Sequence, residues 1–129
     1  MAKARSARPV PPFVIVEIAA SSGTKMVATA AVVLKDANGV IRKEASGGDG
    51  QVSALFLTIN RLTKVHPKVA DYQVHLVEDG KGARGMISVK LQLGDRVVSA
   101  EVESGDIVQS SAEAYMRAVN ELLSIKAKK

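Results

Sequence analysis

Two short junctions in this chain hold the residues best suited to binding something. Gly47-Gly48-Asp49-Gly50 precedes one amphipathic stretch, and Ser104-Gly105-Asp106 precedes another. The first backbone N–H groups of a helix have no intrahelical partner, and the helix dipole is positive there. A junction of this kind can therefore hold a carboxylate or another anion. Glycine lets a ligand come close to the backbone. Asp49 has two readings: it caps the helix, or it receives the ammonium of a ligand. Gly105-Asp106 allows the same pair.

Other spacings that suggest chemistry dissolve in context. Gly80-Lys81-Gly82-Ala83-Arg84-Gly85 fits G-x-G-x-x-G, but a dinucleotide loop must open a helix. Met86–Leu93 alternates as a strand instead, so the glycines read as an inter-strand turn. The two histidines, His66 and His75, are far apart in sequence and have no evident partners. No zinc-protease, nucleophile-elbow or Walker pattern occurs. No set of nucleophile, base and orienting group can be nominated. With no cysteine there is neither a disulfide framework nor a thiolate metal site. The chain reads as a binding module with no cofactor, not an enzyme.

The net charge of +5 suggests nucleic acid until it is located. Lys3, Arg5, Arg8, Lys126, Lys128 and Lys129 sit at the ends, and what remains has a net charge of −1. Solvated basic tails are the plainer reading. Stacking-type nucleic-acid binders also need exposed aromatic platforms. Only Phe13, Phe56, Tyr72 and Tyr115 are available, and Phe56 and Tyr115 fall on apolar helix faces. No apolar run approaches the ~20 residues of a membrane span. No signal-peptide core follows the basic start, which makes the cytoplasm the default location.

The elements that must position the junctions come as a repeat. Residues 13–65 and 72–126 each read as three strands, a Gly/Asp junction and an amphipathic helix. Ile59-Asn60-Arg61-Leu62 and Val119-Asn120-Glu121-Leu122 lie sixty positions apart. The expected strands are 13–20, 26–35 and 40–45, then 71–77, 85–93 and 96–103, with Ser21-Ser22-Gly23 as a turn. Val27, Thr29, Ala31 and Val33 share one face of the second strand. Asp36-Ala37-Asn38-Gly39 is a hairpin signal, because Asn-Gly tolerates positive φ. Ile87, Val89, Leu91 and Leu93 alternate with Ser88, Lys90 and Gln92, as in a sheet with one wet face. Helices are expected over 49–65 and 106–126. Val52, Leu55, Phe56, Ile59 and Leu62 line the first, and Val108, Ser111, Tyr115, Ala118, Leu122 and Ile125 the second.

The predicted fold is α+β: two βββα units in pseudo-twofold repeat, antiparallel sheets with helices on one face. The expected organisation is a mobile basic, Pro-containing lead-in at 1–12, a domain over 13–126 made of units 13–66 and 70–126, and a basic tail at 127–129. A unit of roughly 55 residues buries little surface alone, so the halves need each other or a partner chain. Sheet edges also need covering, a second reason to expect a dimer.

Four motifs in order resemble one family. Phe13–Gly23 is similar to its opening strand. Gly48-Asp49-Gly50-Gln51-Val52 resembles its G-D/N-G-P-V/L motif. Ala70-Asp71-Tyr72 with Gly80, Ala83 and Gly85 resembles its Tyr strand and D-A-x-G turn. Asp106-Ile107-Val108-Gln109-Ser110-Ser111-Ala112-Glu113-Ala114-Tyr115 with Ala118-Val119-Asn120 resembles its closing helix. The family is the C-terminal regulatory domain of 2-isopropylmalate synthase and citramalate synthase. The resemblance implies a homodimer that binds a branched-chain amino acid, leucine or isoleucine, near the dimer interface. It also implies feedback inhibition of a separate TIM-barrel catalytic domain. Carried over, the ligand loop is Gly48, Asp49, Gly50 and Val52, and the neighbouring wall is Val69, Tyr72, Leu76 and Ala83.

The sequence departs from the family pattern at several points. Gln51 replaces a proline, Ser53 stands where Asp is common, and Gly82 replaces the Asp of the turn. Leu76 is larger than usual, and Glu103-Ser104 interrupts a Gly-rich run. These departures bear on ligand binding rather than on the fold. The alternatives are a dimerisation scaffold without a ligand and a nucleic-acid-associated protein that uses its basic tails.

Overall fold

The computed structural model describes residues 9–127 except Lys25, Lys81 and Gly105. The side chains of Val77, Asp79, Ala83, Ser104 and residues 125–127 are likewise outside the description. Most of the basic tail residues therefore lie outside the described residues. The chain divides into two units, the first ending at His66 and the second beginning at Pro67. Each is a βββα unit, so the fold class is α+β.

In the first unit, β1 (Val14–Gly23), β2 (Met26–Lys35) and β3 (Ile41–Gly48) form an antiparallel sheet in that order, followed by α1 (Gln51–Thr63). The Ser21-Ser22-Gly23 segment is the end of β1 rather than a turn, with Ser21 opposite Thr29 and Gly23 opposite Met26. The first two glycines of the first junction are also strand, because Gly47 and Gly48 pair with Thr29 and Ala28. The buried face of β2 carries Ala28, Ala30, Val32 and Leu34. The Val27, Thr29, Ala31 face points away from α1 and is exposed. Small residues under the helix let it sit close: Thr58 Oγ1 donates to Ala54 O at 2.7 Å and reaches Ala30 O at 3.4 Å. Leu55, Phe56, Ile59 and Leu62 complete this core. The helix ends at Lys64 in the left-handed region (φ 63°), whose N–H bonds Asn60 O.

The β2–β3 turn is locked by a buried carboxylate. Asp36 Oδ1 accepts from the N–H groups of Asn38 (2.9 Å) and Val40 (3.0 Å). Its Oδ2 lies 3.4 Å from Val10 N and 3.5 Å from Arg42 Nη2. Ala37 N–H in turn donates to Val10 O at 2.8 Å. The lead-in is therefore anchored at Val10 and not free along its whole length.

In the second unit, β4 (Lys68–Asp79), β5 (Gly82–Leu93) and β6 (Arg96–Ser104) form the sheet, and α2 (Ile107–Ala127) follows. Ile87, Val89 and Leu91 are fully buried, as their alternation predicts. On α2 the buried stripe includes Ser111, Ala112, Tyr115, Ala118, Val119 and Leu122. Among the described residues no helix is long and apolar enough to cross a membrane.

Two substitutions test these cores. Leu122→Asp puts a charge at a fully buried position and should cost about 4 kcal/mol or more, read as a collapse of the thermal melt. Asp36→Asn should cost about 2 kcal/mol at neutral pH through lost charge-assisted bonds. Burial alone would raise the Asp36 pKa. The N–H groups of Val40, Val10 and Asn38, with Arg42, overcome this and hold it below the ordinary 3.8. A depressed native value means that Asp36 stabilises above pH 3.8 and that this contribution fades as pH falls through the lowered value. Denaturant melts should show that Asp36→Asn lacks this part of the acid-side loss.

Candidate functional site

The predicted site residues fall into two groups, one on each unit. In the first, β3 runs directly into α1. Gly48 is required by packing, since a Cβ there would lie 2.7 Å from Ala54 N and 2.9 Å from its Cα. Gly50 is different. It is the N-cap of α1, in ordinary extended conformation (φ −162°, ψ 177°), and an added Cβ would meet nothing within 4 Å. Neither the backbone nor the packing demands glycine at this position.

The cap reading of Asp49 fails. Gly50 is the N-cap, no side chain caps α1, and the first turn carries no acid. Asp49 is exposed, and the first intrahelical bond runs from Ala54 N to Gly50 O at 2.9 Å. Gln51, in place of the family's proline, reaches Ser22 Oγ at 3.4 Å. Val52 is half-buried. The second junction is closed by its own acid, because Asp106 Oδ1 accepts from Gln109 N at 3.1 Å. The repeat thus has one capped helix start and one open one. Sequence alone left both readings at both junctions.

In the second unit, the register aligns Val69, Tyr72, Val74 and Leu76 with Leu91, Val89, Ile87 and Gly85 on the helix side of the sheet. Val69 and Leu76 are exposed. Tyr72 is half-buried, and its hydroxyl lies 2.7 Å from Ser111 Oγ. Ser111 donates to Ile107 O at 2.7 Å, so the Tyr72 hydroxyl is the donor to Ser111. This bond ties β4 to the second turn of α2. Its signal was present in the Ser-Ser step of the closing motif, but sequence spacing alone cannot pair it with a tyrosine 39 positions earlier. Ala83 lies in β5, opposite Glu78, and its side chain is outside the described residues.

Gly82, a departure from the family turn, opens β5 at φ 109°. An L side chain is strained there, so the glycine follows from the hairpin. The whole G-x-G-x-x-G match spans this hairpin and opens no helix. His75 Nε2 lies 2.9 Å from Gln73 Oε1. Among the described residues no cluster of His, Asp and Glu could hold a metal. Phe13, Phe56 and Tyr115 are buried, so they offer no stacking platform.

A cavity of about 240 Å³ lies elsewhere on the first unit, lined by Arg42, Glu44, Arg61, Leu62 and Lys64 among others. It shares no residue with the predicted site. Arg42 faces Asp36 at 3.5 Å and Arg61 faces Glu44 at 3.9 Å, so two of the four basic residues that line it, Arg42, Lys43, Arg61 and Lys64, are in ion pairs. It also sits at the carbonyl end of α1, which disfavours anions.

The profile described as the LeuA allosteric (dimerisation) domain matches residues 1–123. The chain belongs to this family. It is 36% identical over 104 residues to a 2-isopropylmalate synthase of Geobacillus sp. (strain WCH70), which covers 81% of this chain and 20% of that protein. It is 33% identical over 108 residues to the Halothermothrix orenii enzyme (83% and 21%). The Ruminiclostridium cellulolyticum enzyme is 34% identical over 112 residues (87% and 22%). This LeuA-type domain spans about a fifth of the length of these relatives.

The two junction glycines of the LeuA-type domain separate in a direct test. Gly48→Ala should lower the melting temperature by several degrees, because β3 must move off α1. Gly50→Ile should lower it by less, because an added Cβ there meets nothing within 4 Å and only the exchange for a poorer N-cap residue counts against it. Equal effects in a thermal melt would contradict the placement of the two residues.

Proposed function

We propose that this LeuA-type domain is a non-catalytic, homodimeric sensor of a branched-chain amino acid, leucine or isoleucine. It would serve a catalytic domain of the 2-isopropylmalate synthase type. The observation that carries the reading is the start of α1: a helix N-terminus without a side-chain cap, opened by a glycine that the fold does not need.

The chemistry follows from those groups. The N–H donors of the first turn of α1 take the ligand carboxylate, and Gly50 admits it close to the backbone. Asp49, exposed and not used as the cap, takes the ammonium. Val52 supplies apolar surface on the first unit, and Val69, Tyr72, Leu76 and Ala83 on the second are the other residues assigned to the ligand on this reading. Regulation is a population shift: a ligand that prefers one arrangement of the subunits stabilises it, by no more than its difference in affinity for the two. The functional unit on this reading is residues 13–126, with the lead-in carrying the connection to the catalytic part.

One observation favours the scaffold alternative. Tyr72 already spends its hydroxyl on Ser111 within the second unit, and Leu76 is unusually large for the wall. A thermal-shift screen against the twenty amino acids decides between the two. A ligand at 100 times its Kd adds about 2.7 kcal/mol to stability. A selective upward shift with leucine, isoleucine or valine, abolished by Gly50→Ile, is the expected result. A folded domain that no amino acid stabilises would establish the scaffold.

A further inference from the structure

We propose that β4 is the edge through which a second copy of this chain docks, pairing antiparallel with the β4 of that copy. The proposal rests on the reading above that the domain self-associates, and it names the surface.

Four sheet edges are candidates, and they differ in what their faces and backbones offer. α1 packs on the face of β2 and β3, and α2 on that of β5 and β6, so the helix-side faces of β3 and β6 are already covered. The outer strand β1 is interrupted by irregularities between Ile15 and Glu17 and between Ser21 and Gly23. Such bulges disrupt edge pairing. By contrast β4 is regular from Asp71 to Asp79, after a single shift near Ala70. It is long, at 12 residues, and α2 reaches it at Tyr72 through Ser111 while packing mainly on β5 and β6.

Its helix-side stripe is apolar and uncovered: Val69 is 38% exposed, Val74 41% and Leu76 71%. These side chains continue the buried row of β5 past the reach of α2. An edge strand with a regular backbone and an apolar stripe is a template for another strand. A family described as a dimerisation domain makes a second copy the occupant.

The polar face of β4 supports this choice. Gln73 Nε2 donates to Asp71 Oδ2 at 3.0 Å, and His75 bonds Gln73 Oε1 at 2.9 Å, so the three side chains stand in one row. In a twofold antiparallel pair centred on Gln73, Asp71 of each copy faces His75 of the other. Gln73 meets its own copy, and Tyr72 lies beside Val74 on the apolar side. Acid and imidazole are matched twice, and no like charges oppose within 71–75. The row is self-complementary, as a twofold interface requires.

Sedimentation equilibrium on the whole chain tests this, with thermal melts to verify each variant's fold. The wild type should be dimeric. Val74→Asp should weaken the dimer at least 100-fold while leaving the melt of the monomer intact, since Val74 is 41% exposed and lies outside the proposed ligand wall. His75→Asp sets two Asp pairs against each other and should weaken it about 10-fold. Adding Asp71→His to it should restore the affinity. A dimeric wild type whose variants all associate equally well would overturn the β4 interface while leaving the self-association reading standing. A monomeric wild type at high concentration would overturn both.

Discussion

A single helix cannot cover a three-stranded sheet, and much of this structure follows from that mismatch. A helix is about 10 Å across, and strands lie about 4.8 Å apart. One helix therefore shields two strands well and leaves a third at the margin. Both units resolve the problem in the same way. Each helix enters from the last strand and packs on it and its neighbour, so the first strand of each sheet is the less protected one. The junction that feeds the helix is drawn tight against the sheet. That is why Gly48 admits no side chain beside Ala54 of α1 and why small residues, Ala28 and Ala30, occupy the buried face of β2. Close approach at one end of the helix and exposure at the far strand are two consequences of one geometry.

The same geometry separates what is structural at the junction from what is available. Gly48 belongs to the packing. Asp49 and Gly50, one and two residues on, are not fixed by packing: Asp49 is exposed and its side chain caps nothing, and an added Cβ on the N-cap Gly50 meets nothing within 4 Å. In the second unit Asp106 folds back on its own helix start, so a near-repeat in sequence becomes an asymmetry in chemistry. A repeat whose two copies differ at one helix start can keep one copy for structure and leave the other for recognition. This division fits a regulatory domain, in which the fold must stand with or without its ligand.

Most of the fold was legible in the sequence. The alternation of Ile87, Val89 and Leu91 and the helical spacing of Leu55, Ile59 and Leu62 report burial directly, and each lies buried as read. Strand ends were less legible. Ser21–Gly23 and Gly47–Gly48 have turn-like composition but are held in the ladder by β2, a long-range pairing that local propensity does not encode. On β2, Val27 to Val33 and Ala28 to Leu34 are both apolar rows, so periodicity gives two faces without naming the buried one. The candidate site was legible as a list of residues but not as roles. Whether an aspartate caps its helix or stays exposed depends on a single backbone step. Asp49 and Asp106 fall on opposite sides of it, and Tyr72 finds its partner only once β4 and α2 are folded together.

The central claim is that the open start of α1 receives the carboxylate of an amino acid. It is tested most directly by titrating the isotope-labelled chain with leucine, isoleucine and valine and following backbone amide resonances. The account predicts that one of these ligands shifts the amides of Gly50, Gln51, Val52 and Ser53 selectively and saturably, more than it shifts the start of α2 at Ile107–Gln109. Saturable binding that leaves the start of α1 unmoved, or no binding to a folded chain, would contradict it.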